Sequence, residues 1–289
     1  MSTLAPPIPY FGGKQRIAPR IADLLPDHGH YVEPYCGGLS VLLAKKPSVL
    51  ETVNDLDGDI TTFWRVLRDD PEGLAHVCAL TPHARTELAQ SWDRDGVPDL
   101  ERARRTWVSL TQGRTGTLRR TGWRHHVDPA GTTLGMPAYL RGYVARMGPA
   151  AERIANVSIE CMPALNIITK YGAQSDVLLY VDPPYLGSTR TGRGYRHEMQ
   201  TEPEHREMAA ALLTARAAVV LSGYHSPLYD EMFGDWHQVE IAASTGQGSV
   251  WGERTEVLWS NRPFNEPAGL FESAPAARLV SPDPKETTP

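Results

Sequence analysis

An open α/β sheet with helices on its faces is the fold predicted for this chain of 289 residues, and three observations predict it. Short apolar runs bounded by turn residues alternate with segments whose apolar residues recur at helical spacing. A glycine pair, Gly37-Gly38, follows the first clear strand and opens a helix. The run Leu178-Leu179-Tyr180-Val181 stops abruptly at Asp182-Pro183-Pro184-Tyr185, because proline fixes φ, lacks an N–H and forces the preceding residue out of helix. Such a strand delivers a carboxylate, a rigid carbonyl and an aromatic ring to its carboxyl end, where open α/β sheets bind ligands.

The elements follow in order. Residues 1–9 read as an extended arm leading into Tyr10-Phe11-Gly12-Gly13-Lys14, a tight turn opening a helix with Ile17, Ile21, Leu24 and Leu25 inward. Tyr31 to Val41 reads as strand, glycine turn and helix start. It lacks the GxGxxG that cradles a pyrophosphate, so a ligand without phosphates suits it better than a dinucleotide. Val49 to Val53 is the next strand, ending in Asn54-Asp55-Leu56-Asp57. Asp55 stands where an acidic residue meets ribose hydroxyls in such folds. Asp57 is the better cap for a helix from Ile60 to Leu67, which leaves Asp55 free.

From Asp69 to Ala155 the alternation fades into short helices joined by a glycine-interrupted basic loop. Arg102, Arg104, Arg105, Arg114, Arg119, Arg120 and Arg124 gather there with Trp107, Trp123, His125 and His126, a mixture suited to phosphate and base contact. Arg102 to Arg105 read equally well as a solvated helix face. The rhythm then resumes with a strand at Val157–Cys161, a helix at Leu165–Tyr171 and the strand at Val177–Val181. After a polar loop with Arg190, Arg193, Tyr195 and Arg196, Thr201 and Glu204 have capping-box spacing for a helix to about Ala215. Ala217–Ser222 is a strand and Leu228–Phe233 a short helix, and Val239–Ala242 with Thr255–Trp259 form an antiparallel pair at one sheet edge. The polar, proline-rich stretch from 264 to 289 is expected to be a disordered tail.

Composition narrows the partners. Net charge is −5 with a pI near 6.1, so a nucleic-acid site would have to be a local patch rather than a global field. Cys36, Cys78 and Cys161 form no CxxC pair, which points to a reducing cytoplasm and away from a zinc or disulfide scaffold. No run of about 20 apolar residues occurs, so no membrane span is expected. No metal site is expected either, and a soluble cytoplasmic protein, monomeric by preference, is the expectation.

The chemistry concentrates at Asp182-Pro183-Pro184-Tyr185. Asp182 can accept a hydrogen bond from an amino group, the Pro183 carbonyl a second, and the Tyr185 ring can stack on a planar base. These parts could hold the exocyclic amine of a nucleobase with its lone pair aimed at an electrophile. An ordinary strand end with a turn-forming Pro-Pro and a surface Tyr would carry the same letters.

Seven segments in order decide between those readings: YFGGK from Tyr10, VEPYCGG from Val32, NDLDGD from Asn54, VDPPY from Val181, YRHEM from Tyr195, SGYHSPLYDEMF from Ser222 and RTEVLWSN from Arg254. With them the chain resembles, from about Pro9 to Asn261, the Dam-like group of adenine-N6 DNA methyltransferases. The resemblance implies a Rossmann-like S-adenosylmethionine-dependent sheet of seven strands with the last pair antiparallel. It places a catalytic domain at residues 1–68 and 151–263, and a mostly helical DNA-recognition insert at 69–150. It puts S-adenosylmethionine against Tyr10, Lys14, Glu33, Pro34, Gly37, Gly38, Asp55 and Asp182, and the target amine against Asp182, Pro183, Pro184 and Tyr185. Double-stranded DNA is the implied partner, with Arg114, Thr115, Arg119, Arg124, Arg190, Tyr195 and Arg196 as candidate contacts. One departure stands out: Pro163 occupies the place where relatives carry an acid for the cofactor's adenine amine. Cytosine-N4 methylation, which uses the same geometry, and a DNA-binding relative without catalysis are the alternatives.

Overall fold

The computed structural model describes residues 4–125, 135–186, 196, 197, 199, 201–244 and 253–265. Among the described residues seven strands form one sheet: β1 His30–Glu33, β2 Leu50–Asn54, β3 Ser158–Glu160, β4 Val177–Val181, β5 Ala218–Gly223, β6 His237–Ser244 and β7 Glu253–Ser260. Their spatial order is β3-β2-β1-β4-β5-β7-β6. The first five run parallel, and β7 is antiparallel to both of its neighbours, pairing Leu221 with Trp259 and Val239 with Leu258.

β4 lies at the centre, with all five residues buried. A parallel strand covered on both faces reads as a continuous apolar run, which is why Val177–Val181 shows no alternation. Leu178 and Tyr180 join the core on one face with α1 (Ala18–Leu24), α2 (Ser40–Ala44) and α3 (Gly58–Asp69). Val177, Leu179 and Val181 join the core on the other with α9 (Ala164–Gly172), α10 (Glu202–Leu213) and α11 (Pro227–Phe233).

Asp57 caps α3, its carboxylate accepting from Asp59 N at 3.0 Å. Thr201 and Glu204 form the capping box expected at α10. Between β2 and β3, α3 is followed by α4 (Pro71–Leu80), α5 (Arg85–Gln90), α6 (Asp99–Gln112), α7 (Met136–Val144) and α8 (Met147–Ile154). Residues 113–123 turn back through a bridge between Gly113 and Trp123.

Phe264 packs against the core, and the Asn265 amide donates to Leu25 O at 2.7 Å, so these two residues of the expected tail are docked. The rest of that tail, 266–289, lies outside the described residues. No helix among the described residues is long and apolar enough to cross a membrane.

Candidate active site

The sheet reverses its winding between β1 and β4, and such a switch point opens a crevice at the strands' carboxyl ends. A cavity of about 300 Å³ lies there, lined by Tyr10, Lys14, Glu33, Pro34, Gly37, Gly38, Asp55, Pro184 and Asp182 among others. The strand-end carboxylate and the glycine turn, 145 residues apart in sequence, thus face one space.

The glycine turn is built to let Tyr10 in. Gly37 has φ +42, and a Cβ there would lie 2.7 Å from the Tyr10 ring. Only glycine meets both demands. The turn is pinned from three sides: Gly37 N donates to Asp55 Oδ2 at 3.0 Å, Trp64 Nε1 to Gly37 O at 2.8 Å and Cys36 N to Asn54 O at 2.8 Å. Leu39, next in the chain, holds φ +53 without being a glycine, a conformation that costs a non-glycine residue about 1–2 kcal/mol.

Asp55 is therefore engaged, contrary to the expectation that it is left free. Its carboxylate accepts from the backbone N–H of both Gly37 and Asp57. An ionised carboxylate has about four lone-pair sites, so two remain. Burial pushes its pKa up to about 6, against the pull of those two N–H groups.

Asn54, one residue earlier, ties the loops together. Its amide donates to Pro34 O at 2.9 Å and Met162 O at 3.0 Å, and its oxygen accepts from Met162 N at 3.0 Å. Pro163 follows as the N-cap of α9 and lines the cavity with Ala164 and Leu165. Glu204 and Glu207 of α10 line the same cavity.

At the end of β4, Lys14 donates to Asp182 Oδ1 and Oδ2 at 2.8 Å each, to Gly12 O at 3.2 Å and to the Tyr185 hydroxyl. Burial raises the Asp182 pKa and the Lys14 ammonium opposes that rise. Glu33, at the end of β1, accepts from Tyr31 OH at 2.9 Å, and burial takes its pKa to about 8. Burial thus raises both carboxyls, but only Asp182 has the Lys14 ammonium directly on it to oppose the rise.

Arg196 sits at the cavity edge, its guanidinium on Asp57 (Arg196 Nε to Oδ2, 2.7 Å) and Asp59 (Arg196 Nη2 to Oδ2, 2.5 Å). In this structure it pairs with two carboxylates of α3 and its cap. Arg190 and Tyr195 lie outside the described residues. Arg114 and Thr115 stand exposed on the 113–123 turn, while Arg119 is half-buried. Arg124 lies 5.4 Å over the Tyr139 ring and donates to its hydroxyl. Gly116, φ +61, anchors the turn through Phe11 N to Gly116 O at 2.8 Å, beside the Tyr10 loop. Arg102, Arg104 and Arg105 pair with Asp59, Glu87 and Glu101, so these three serve the packing of α6.

Two groups escaped the sequence reading. Glu256 of β7 is buried and accepts from Tyr185 OH at 2.6 Å and Ser222 Oγ at 2.5 Å. An acid directly before the apolar run Val257-Leu258-Trp259 was its signal. Asp59 gathers Arg94, Arg102 and Arg196, and no local pattern announces a partner 35 residues away.

A model of the D12 class N6 adenine-specific DNA methyltransferase family matches residues 10–91 and 145–244. The type II methyltransferase M1.LlaDCHI of Lactococcus lactis subsp. cremoris is 27% identical over 277 residues, covering 89% of this chain and 95% of that protein. Among solved structures, the rRNA methyltransferase aviRa of Streptomyces viridochromogenes aligns with TM-score 0.35 and 15% identity, over 89% of this chain and 88% of that one. A SAM-dependent methyltransferase of Agrobacterium tumefaciens aligns with TM-score 0.39 and 11% identity, over 91% and 71%. The family match spans both the glycine turn and the Asp182 strand end and takes in well over half of the sequence, so the chain belongs to the D12 class N6 adenine-specific DNA methyltransferases.

Proposed function

We propose that this enzyme transfers the methyl group of S-adenosylmethionine to the N6 amine of an adenine flipped out of a specific duplex sequence. The observation that carries the reading is the meeting of Asp182 with the Gly37 turn in one cavity. The cavity fits this cofactor by charge. Its lining holds Asp55, Asp57, Asp182, Glu204 and Glu207 against Lys14 and Arg196, which favours a cation and disfavours a pyrophosphate. Asp55 has lone pairs left for ribose hydroxyls, and Tyr10 and the Gly37-Gly38 backbone frame the rest.

When bound, the cofactor supplies an electrophilic methyl, so transfer forms an N–C bond and breaks a C–S bond. Asp182 and the Pro183 carbonyl accept the two amino hydrogens, which draws the nitrogen lone pair out of conjugation and toward that methyl. Lys14 engages one lone pair on each Asp182 oxygen, and an ionised carboxylate offers about four in all. Pro184 fixes the backbone at the turn, and the Tyr185 ring, held through its hydroxyl, receives the base by stacking. Holding the amine in a near-attack geometry can contribute roughly 7–11 kcal/mol. The amine's extra proton leaves after transfer, when the nitrogen is cationic, so Asp182 need not be a strong base.

Residues 69–150 serve as the recognition domain in this reading. The exposed Arg114 and Thr115, with Arg119 and Arg124, meet the duplex from a turn that is anchored beside the cofactor loop. Arg190, Tyr195 and Arg196 follow the catalytic strand end and approach the same DNA. Flipping takes the target base out of the stack and into the cavity.

Calorimetry tests the cofactor assignment. The protein is expected to bind S-adenosylmethionine, and Gly37→Ala to lose most of that affinity, because its Cβ collides with Tyr10 in a left-handed turn. No heat of binding at millimolar cofactor would contradict the proposal.

A further inference from the structure

Glu256 presents a buried carboxylate whose one oxygen, Oε1, collects three groups. The Tyr185 hydroxyl donates to it at 2.6 Å, the Ser222 hydroxyl at 2.5 Å, and the Lys14 ammonium stands 3.6 Å away. The side chain is 3% exposed.

Cementing β5 to β7 does not account for it. The backbone ladder already joins these strands, with Ser222 opposite Leu258, and an apolar side chain would fill the diagonal position without the cost of burying a charge. What the carboxylate does change is direction. The Tyr185 O–H is turned toward Glu256, which leaves its oxygen lone pair to receive Lys14, whose ammonium also donates to both Asp182 oxygens and to Gly12 O. The Tyr224 ring packs against the Tyr185 ring, their centroids 4.6 Å apart and their planes at 66°.

We propose that Glu256 is a positioning residue for methyl transfer: it orients the Tyr185 hydroxyl and, through it, the Lys14 ammonium that holds Asp182. This explains a tyrosine hydroxyl at a place where stacking alone would be served by phenylalanine. The inference rests on Asp182 being the amine acceptor.

Its test is steady-state methylation of duplex DNA by Glu256→Gln, Tyr185→Phe and the double variant, with cofactor and DNA affinities measured alongside. Each single variant is expected to lose about 100-fold in kcat, the scale of a small misplacement at a reacting centre, with affinities held within about threefold. The double variant should lose no more than the worse single one, because both cut the same link. Turnover by Glu256→Gln within about twofold of the parent overturns the inference, as does a loss carried by cofactor affinity or losses that multiply. Should Glu256→Gln not fold, Tyr185→Phe decides alone: it keeps Glu256 and the ring, and undiminished kcat overturns the link. Asp182→Ala is run in parallel. Its activity would defeat the underlying reading, whereas an inactive Asp182→Ala beside a fully active Glu256→Gln defeats only this one.

Discussion

Replacing Asp182 with alanine is expected to abolish methyl transfer while DNA binding stays near that of the parent. A preorganised group aimed at the reacting atoms is worth about 10²–10³ in kcat when removed. Here the loss also unties Lys14, which gives Asp182 both of its 2.8 Å hydrogen bonds, so the effect should exceed that range. Asp182→Asn separates the two contributions: it keeps the shape and one acceptor oxygen but removes the charge that faces Lys14. Tritium transfer from labelled cofactor to duplex DNA, with a gel-shift assay on the same preparations, measures both quantities. Retained turnover by Asp182→Ala would remove the carboxylate from the mechanism.

The largest effect on stability is expected at Asp59. Its side chain is 2% exposed and pairs with Arg94, 6% exposed, at 2.7 Å, with Arg102 and Arg196 on the same carboxylate. Asp59→Ala leaves the Arg94 guanidinium buried without its counter-charge, a loss of about 3–5 kcal/mol. In a chain of this size that lowers Tm by on the order of 10 °C. Arg102→Ala should cost far less, since that side chain is 35% exposed and solvent screens it. An Asp59→Leu, Arg94→Met pair should recover part of the loss, because it removes the buried guanidinium together with its counter-charge, while Arg102 is 35% exposed to solvent and Arg196 keeps Asp57. Urea and thermal unfolding of the three variants provide the check. A change below about 1 kcal/mol in Asp59→Ala would mean that water reaches Arg94.

The sheet was legible because its strands are short apolar runs cut off by strong punctuation. Pro183-Pro184 ends β4, and Thr201 with Glu204 starts α10, each by a local rule that needs no tertiary knowledge. The meeting of Asp182 with the Gly37 turn was legible for the same reason, since parallel strands all present their carboxyl ends to one side. What local rules do not carry is the partner of a charged side chain. Asp55 looked free because Asp57 makes the better cap, yet the turn folds back so that the Gly37 N–H reaches it. Arg102 to Arg105 looked like either a DNA face or a solvated face and proved to be ion-paired within the fold. Glu256 joins the site from a strand 74 residues beyond Asp182, through pairing that only the assembled sheet establishes.

In the proposed mechanism Asp182 and the Pro183 carbonyl grip the N6 amine of adenine beside a methyl donor. Incubating duplex DNA with the enzyme and S-adenosylmethionine, digesting to nucleosides and identifying the methylated product by mass tests that grip. N6-methyladenine from the parent enzyme, and none from Asp182→Ala, is the expected result. N4-methylcytosine, or N6-methyladenine made equally well without Asp182, would contradict it.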